Sequence, residues 1–532
     1  MRLLAAALAL LAAWTPARAE AGAPSPETVV VLGATGDLTA RMLVPALLEL
    51  ERAHALPAGT RVLGLAPPSP DIPGDSDAAF RRLIQDRVKQ LAPAGWDAAA
   101  WSRLAPALHF QPGDLTDPKT FDALAARLAA LEGAPSTHVF YLALPPRLIG
   151  PTVQRLQGAG LIGRGDRHVR VVVEKPIGVD LASARAINDD LERIVGEDRT
   201  YRMDHYLGKQ NVRNLLRLRF ADPRFQSIWN KHYIDRIEVR AHEKVGIEGR
   251  SAFYESVGAA RDMVQSHLLQ VLALATMDRP AGPGADGVRE AKIRLLESLR
   301  PLGPQEVARQ VVRGQYRGGA TGGYRDQPGV APDSVTETYV AMQVDLPGRR
   351  WAGVPMHLTT GKALDEKRTE VRVHFRRLPA ELAASIGQRP EEPAILTIGI
   401  DPKPTLSLAG RPLALPPQAG PSLGPYARQL ADVLAGDQSM FLHRRETEAA
   451  WRFIDPIVAA WKQEGRNRLF PYRAGSTGPI RARTVLPRGS LDSSPPDELA
   501  WARLRARERG TVGGRARPME PLRAQGPVIR HR

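Results

Sequence analysis

The 532-residue sequence contains no cysteine. That absence excludes disulfides, thiolate metal sites and a cysteine nucleophile in one step. No internal repeat is present. Nor does any apolar run reach the roughly 20 residues that a membrane helix needs. The nearest approach is the short run Leu3 to Trp14, preceded by Arg2 and followed by Ala17-Arg18-Ala19 before Glu20. This is the order of an export signal with a small-x-small cleavage site, so residues 1–19 form a candidate signal peptide. An Ala/Leu-rich leader retained as a cytoplasmic extension fits the same residues. Charge of one sign is not lacking, but it is unevenly placed. Residues 480–532 hold twelve arginines against five acids, a net +7 out of +16 for the whole chain. That tail mixes Arg with Pro, Gly and Ser and reads as basic and largely disordered, with one short candidate helix at 496–509. A basic average produced this way implies no nucleic-acid partner.

What is there is a globular body. Thr28 to Leu32 is an apolar, β-branched run, and Gly33-Ala34-Thr35-Gly36-Asp37-Leu38 follows it directly, before a helical pattern from Thr39 to about His54. A strand that turns through glycines into a helix aims backbone N–H groups at a phosphate. Further strands are expected at 61–65, 138–144 and 169–173, with helices at 77–91 and 119–131 between them, and a surface loop at 67–77. Alternating strands and helices indicate an α/β, doubly wound N-terminal domain over 28–203. Beyond it, alternating runs at 237–242, 336–342 and 370–375 point to a larger α+β domain with a mainly antiparallel sheet, extending to 479. His267 lies in an apolar segment, 262–275, that reads as a helix.

The order of these motifs resembles the glucose-6-phosphate 1-dehydrogenase family. GATGDL at 33–38, YLALPP at 141–146, EKPIG at 174–178 and RMDHYLGK at 202–209 carry the resemblance. GIEGR at 246–250, RDMVQSHLLQ at 261–270, GQY at 314–316, TGKAL at 360–364 and GDQ at 436–438 extend it. The resemblance implies a Rossmann domain beside an α+β domain that builds a homodimer or homotetramer. It also implies oxidation of glucose 6-phosphate at C1 to 6-phosphoglucono-1,5-lactone, the first step of the oxidative pentose phosphate pathway, with hydride passing to NADP. Such a reaction needs a base for the hydroxyl proton, a task suited to histidine. The family's base falls on His267, and the carboxylate that orients it falls on Asp204. The sugar phosphate and hydroxyls fall to Lys175, His205, Tyr206, Lys209, Glu243, Asp262, Lys362 and Lys367. The cofactor falls to Gly33, Thr35, Gly36, Asp37, Leu38, Pro145 and Lys175. No metal is implied.

Four positions depart from the family pattern. Met42 stands where the first helix usually has lysine. Pro67 stands where an arginine after the second strand usually binds the adenosine 2′-phosphate, which leaves NAD open beside NADP. Gln210 and Ser266 replace Glu and Asn and keep hydrogen-bonding ability. The two departures on the cofactor side also admit a non-catalytic paralogue that binds a sugar phosphate or a protein partner. On location the readings conflict: the family function belongs in the cytoplasm, and the N-terminal segment suggests periplasmic export.

Overall fold

The computed structural model describes residues 27–132, 136–282, 284–319, 322–415 and 421–487. The candidate signal peptide at 1–19 and the candidate helix at 496–509 lie outside the described residues. No helix among the described residues is long and apolar enough to cross a membrane.

The N-terminal sheet has six strands: β1 (Glu27–Leu32), β2 (Arg61–Ala66), β3 (Leu108–Pro112), β4 (Thr137–Leu142), β5 (Val169–Val173) and β6 (Thr200–Arg202). Their spatial order is β3-β2-β1-β4-β5-β6 and every pairing is parallel. β1 is buried along its whole length, as expected of a central parallel strand covered by helices on both faces. The helices Asp77–Leu91 and Lys119–Leu131 have the bounds expected from sequence. Two strands escaped the sequence reading. β3 ends in proline and β6 has three residues, so neither shows a long β-branched run. Within the expected surface loop at 67–77, Ile72 is buried and pins the segment to the domain.

The second sheet contains β7 (Ile234–His242), β8 (Val311–Arg317), β9 (Tyr339–Asp345), β10 (Pro355–Gly361) and β11 (Arg368–Phe375). It also contains β12 (Ala394–Asp401), β13 (Thr405–Leu408), β14 (Arg411–Pro412) and β15 (Leu469–Arg473). The order is β14-β13-β12-β11-β7-β10-β9-β8-β15. It is mixed: β7 with β10 and β8 with β15 run parallel, and the remaining pairs are antiparallel. Helices Leu269–Thr276 and Arg444–Glu464 contribute to its main apolar core.

The two units interlock across the boundary expected at residue 203. The helix Pro425–Ala435 sends Ala427, Leu430 and Val433 into the apolar core of the first domain. Trp451 donates its indole N–H to the Ile177 carbonyl at 2.8 Å. The expected start of a disordered tail at 480 also needs correcting. Ile480–Thr484 forms a 3-10 turn, and Ala482, Val485 and Leu486 pack beside Tyr316 and Tyr472. Three apolar side chains among the arginines are enough to tie this stretch to the sheet.

Candidate functional site

At the carboxyl edge of the first sheet, β1 leads into Gly33, whose φ of +91° favours glycine. A Cβ there would lie 2.6 Å from the Ala143 carbonyl oxygen. The amides of Gly33 and Ala34 donate to the Leu65 carbonyl at 2.9 and 3.1 Å, which seats the turn over the end of β2. The next helix opens as a π-helical segment, Thr39–Leu43, and continues as Val44–Arg52. No side chain caps its start, so its first amides remain available to an anion. Thr39 is tied back to the Gly33 carbonyl at 3.2 Å. Asp37 is exposed and pairs with Arg41 at 3.2 Å. Pro145 precedes the helix Pro146–Gly158 on this edge, with Ala143 N donating to Leu32 O at 3.0 Å. A close-approach glycine, an uncapped helix start and the crevice between oppositely wound halves fit a dinucleotide.

Lys175 follows β5 on the same edge, and its peptide bond to Pro176 is cis. Its Nζ donates to Asp262 Oδ1 at 2.8 Å and to the Asp262 carbonyl at 3.3 Å. Burial opposes the Lys175 charge, but Asp262, Asp204 and Glu174 outweigh it and raise its pKa. Burial likewise opposes ionisation of Asp262, yet Lys175, Lys362 and His267 hold it below the usual carboxylate range. The neighbouring Glu174 differs. Burial pushes it up to about 7, although Tyr141 donates to it at 2.5 Å.

His267 lies in a second π-helical segment, Ala260–Leu268, a departure from the α-helix that often occurs at functional sites. Its Nδ1 meets Asp204 Oδ1 at 2.5 Å, and both side chains are fully buried. The far nitrogen, Nε2, has no hydrogen-bond partner among the described residues. Burial lowers the His267 pKa, and the Lys175 charge adds to this, against the opposing pull of Asp204. For Asp204, burial is outweighed by His267, His205 and the Tyr206 amide, and its pKa falls. Asp204 also caps the short helix His205–Gly208, accepting from Tyr206 N at 3.0 Å. Tyr206 stacks on the His267 ring with centroids 4.1 Å apart, and His205 meets it edge-on at 4.7 Å. Asp204, His205 and His267 are close enough to resemble a metal-ligand group. The hydrogen bond from Nδ1 to Oδ1 already uses two of the facing atoms.

Above this floor a cleft of about 580 Å³ opens between the first helix of the N-terminal domain and the second sheet. His205, Tyr206, Lys209, Glu243 and Lys367 line it, whereas Lys175, Asp262, Lys362, Asp204 and His267 do not. Lys209 pairs with Asp401 and lies 4.3 Å from the centroid of the Tyr206 ring. Lys362 is buried, pairs with Glu243 and lies 5.2 Å from the Tyr254 ring centroid. Lys367 is exposed and has no carboxylate partner among the described residues. Sequence reasoning missed Asp401 and Tyr426, which stacks on His205 at 5.8 Å. Each arrives from a distant segment, and only the Asp-Pro at the end of β12 offered a signal. Met42 lines the cleft where a lysine was expected.

Comparison with known proteins points to a single family. The family description "Glucose-6-phosphate dehydrogenase, NAD binding domain" matches residues 30–214. Its counterpart, "Glucose-6-phosphate dehydrogenase, C-terminal domain", matches residues 216–412 and 417–492. The chain is 37% identical to a glucose-6-phosphate 1-dehydrogenase of Mycolicibacterium smegmatis over 485 residues, spanning 86% of this chain and 95% of the relative. It is 38% identical to glucose-6-phosphate 1-dehydrogenase 1 of Mycobacterium tuberculosis over 479 residues, 88% of this chain and 96% of the relative. Among solved structures it superposes on the Mycobacterium avium glucose-6-phosphate 1-dehydrogenase with a TM-score of 0.71 at 36% identity, covering 87% and 97% of the two chains. A glucose-6-phosphate dehydrogenase in complex with its substrate glucose-6-phosphate gives 0.75 at 27% identity, covering 89% and 100%.

Proposed function

The chain belongs to the glucose-6-phosphate dehydrogenase family, and we propose that it oxidises glucose 6-phosphate at C1 to 6-phosphoglucono-1,5-lactone. The observation that carries this reading is the buried Asp204–His267 pair, with Nε2 unpartnered, beside the ion pair of Lys175 at the nucleotide edge. When bound, a nicotinamide cofactor supplies the acceptor for the hydride leaving C1. His267 Nε2 takes the C1 hydroxyl proton as the carbonyl forms. Asp204 holds the ring by Nδ1, so the nitrogen facing substrate stays basic, and then stabilises the imidazolium. The lowered pKa keeps His267 neutral at pH 7, the form a base requires.

The phosphate end falls to Lys209, His205 and Tyr206, which bring an ammonium, a ring nitrogen and a hydroxyl to the cleft wall. Lys367 adds an unpaired cation there. Glu243 accepts sugar hydroxyls, and Lys362 fixes that carboxylate. Lys175 and Asp262 orient the reacting end between sugar and cofactor. At the nucleotide edge, Gly33, Thr35, Gly36, Asp37, Leu38 and Pro145 shape the turn that takes the pyrophosphate. Retention of the base, its orienting carboxylate and the phosphate cations disfavours a paralogue that only binds. The homodimer or homotetramer implied by the family remains part of the reading, with sedimentation velocity as its test.

The direct test follows absorbance of the reduced cofactor with glucose 6-phosphate and either NADP or NAD. A rise that depends on the sugar phosphate supports the reading. No rise with either cofactor, in protein shown to be folded, would sink it.

A further inference from the structure

The choice between NADP and NAD turns on what meets the adenosine ribose at the end of β2. An acid there recognises the ribose hydroxyl of NAD, and an arginine nearby accepts the 2′-phosphate of NADP. This chain offers neither on the strand itself, because β2 ends at Ala66 and runs into Pro67 and Pro68. The turn above it is anchored to that same strand end through the Leu65 carbonyl. Thr35, at the crest of the turn, therefore stands beside the position of the 2′-substituent.

A guanidinium reaches this point from another element. Arg87 lies in the helix Asp77–Leu91, and its Nη1 donates to the Thr35 carbonyl. That is its one hydrogen bond among the described residues, and no carboxylate pairs with it there. The guanidinium has five donors, so most of the fork is uncommitted. Two other arginines of this region are occupied: Arg81 serves the carbonyls of Leu108 and Pro106, and Arg41 serves Asp37. We infer that Arg87 binds the 2′-phosphate of NADP, supplying from the helix after β2 the arginine that Pro67 removes from the strand end. The inference rests on the reading of this edge as the cofactor site, and it makes Arg87 the residue that selects NADP over NAD. Thr35 completes the site with its hydroxyl.

Calorimetric titration with adenosine 2′,5′-bisphosphate and with 5′-AMP tests this without sugar, nicotinamide or turnover. The full chain should bind the bisphosphate more tightly than 5′-AMP. Arg87→Ala should weaken the bisphosphate by about 10–100-fold, the range for losing a charge-assisted hydrogen bond, and leave 5′-AMP within about twofold. Arg87→Lys, which keeps the charge and loses the fork, should fall between them. In turnover, Arg87→Ala should lower kcat/KM for NADP by a similar factor and spare NAD. Equal weakening of both adenosine ligands would show that Arg87 only braces the turn, and would overturn the inference. So would a parent protein that binds the bisphosphate no better than 5′-AMP. Failure of the dehydrogenase reading shows separately, as absence of sugar-dependent reduction of either cofactor, while the titrations still judge Arg87.

Discussion

The two ends of the proposed reaction are built in opposite ways. At the nucleotide edge the recognition elements are mostly backbone: a glycine at positive φ, an uncapped helix start and an exposed Asp37–Arg41 pair. At the sugar end they are charged side chains, several of them buried, and nearly every cation already has a carboxylate. Lys175 holds Asp262, Lys209 holds Asp401 and Lys362 holds Glu243. A dinucleotide phosphate is met by dipoles that the fold exposes in any case. A sugar phosphate demands full charges in a partly dry cleft, and isolated buried charges are too costly to keep. Pairing makes them tolerable before substrate arrives, and the substrate then has to share or displace the internal partner.

The sharpest way to break this comparison is at the base. His267→Asn should lower kcat by about 10²–10⁴-fold, the usual worth of a positioned general base. Glucose 6-phosphate binding should change little, which calorimetry on the folded variant would show. In the parent, kcat/KM should fall as pH drops and His267 takes a proton. Because its pKa is lowered by burial, the midpoint of that acid limb should lie below the ordinary histidine value of about 6.5. An acid limb above that value would contradict the environment described for His267.

The phosphate cations come next. Lys209→Ala should raise KM for glucose 6-phosphate by about 10–100-fold with a smaller change in kcat. Asp401→Asn frees the same ammonium, so it should lower KM by a few-fold. If both variants raise KM equally, Asp401 positions the lysine rather than competing with the phosphate. The smallest effect is expected at the backbone-built edge. Gly33→Ala meets a carbonyl at 2.6 Å and keeps a positive φ. It should cost about 1–2 kcal/mol of stability and weaken both cofactors alike, whereas Arg87→Ala separates them.

Much of this was legible in the residues. The β1 run and GATGDL showed the nucleotide edge, because a parallel central strand is apolar throughout and its turn needs glycine. The helices at 77–91 and 119–131 were readable from their periodicity. β3 and β6 were not, since a short strand ending in proline or holding three residues carries no period to detect. The beginning of the tail was misjudged because Ala482, Val485 and Leu486 are too few for a pattern, although enough to pack. The Asp204–His267 pairing was inferred from a family pattern, and Asp401 and Tyr426 were not inferred at all.

By itself the sequence determined the chemical inventory. It excluded thiol chemistry, supplied a histidine and carboxylates in recognisable motifs, and concentrated arginine towards the C-terminal end. Those are properties of composition and of local spacing along the chain. Only the tertiary structure decided which lysine is paired and which is free, that Nδ1 of His267 rather than Nε2 is occupied, and that Arg87 reaches the turn at Thr35. Such facts depend on segments separated by tens to hundreds of residues meeting in one place. Burial and charge pairing act through that proximity, which local sequence does not encode.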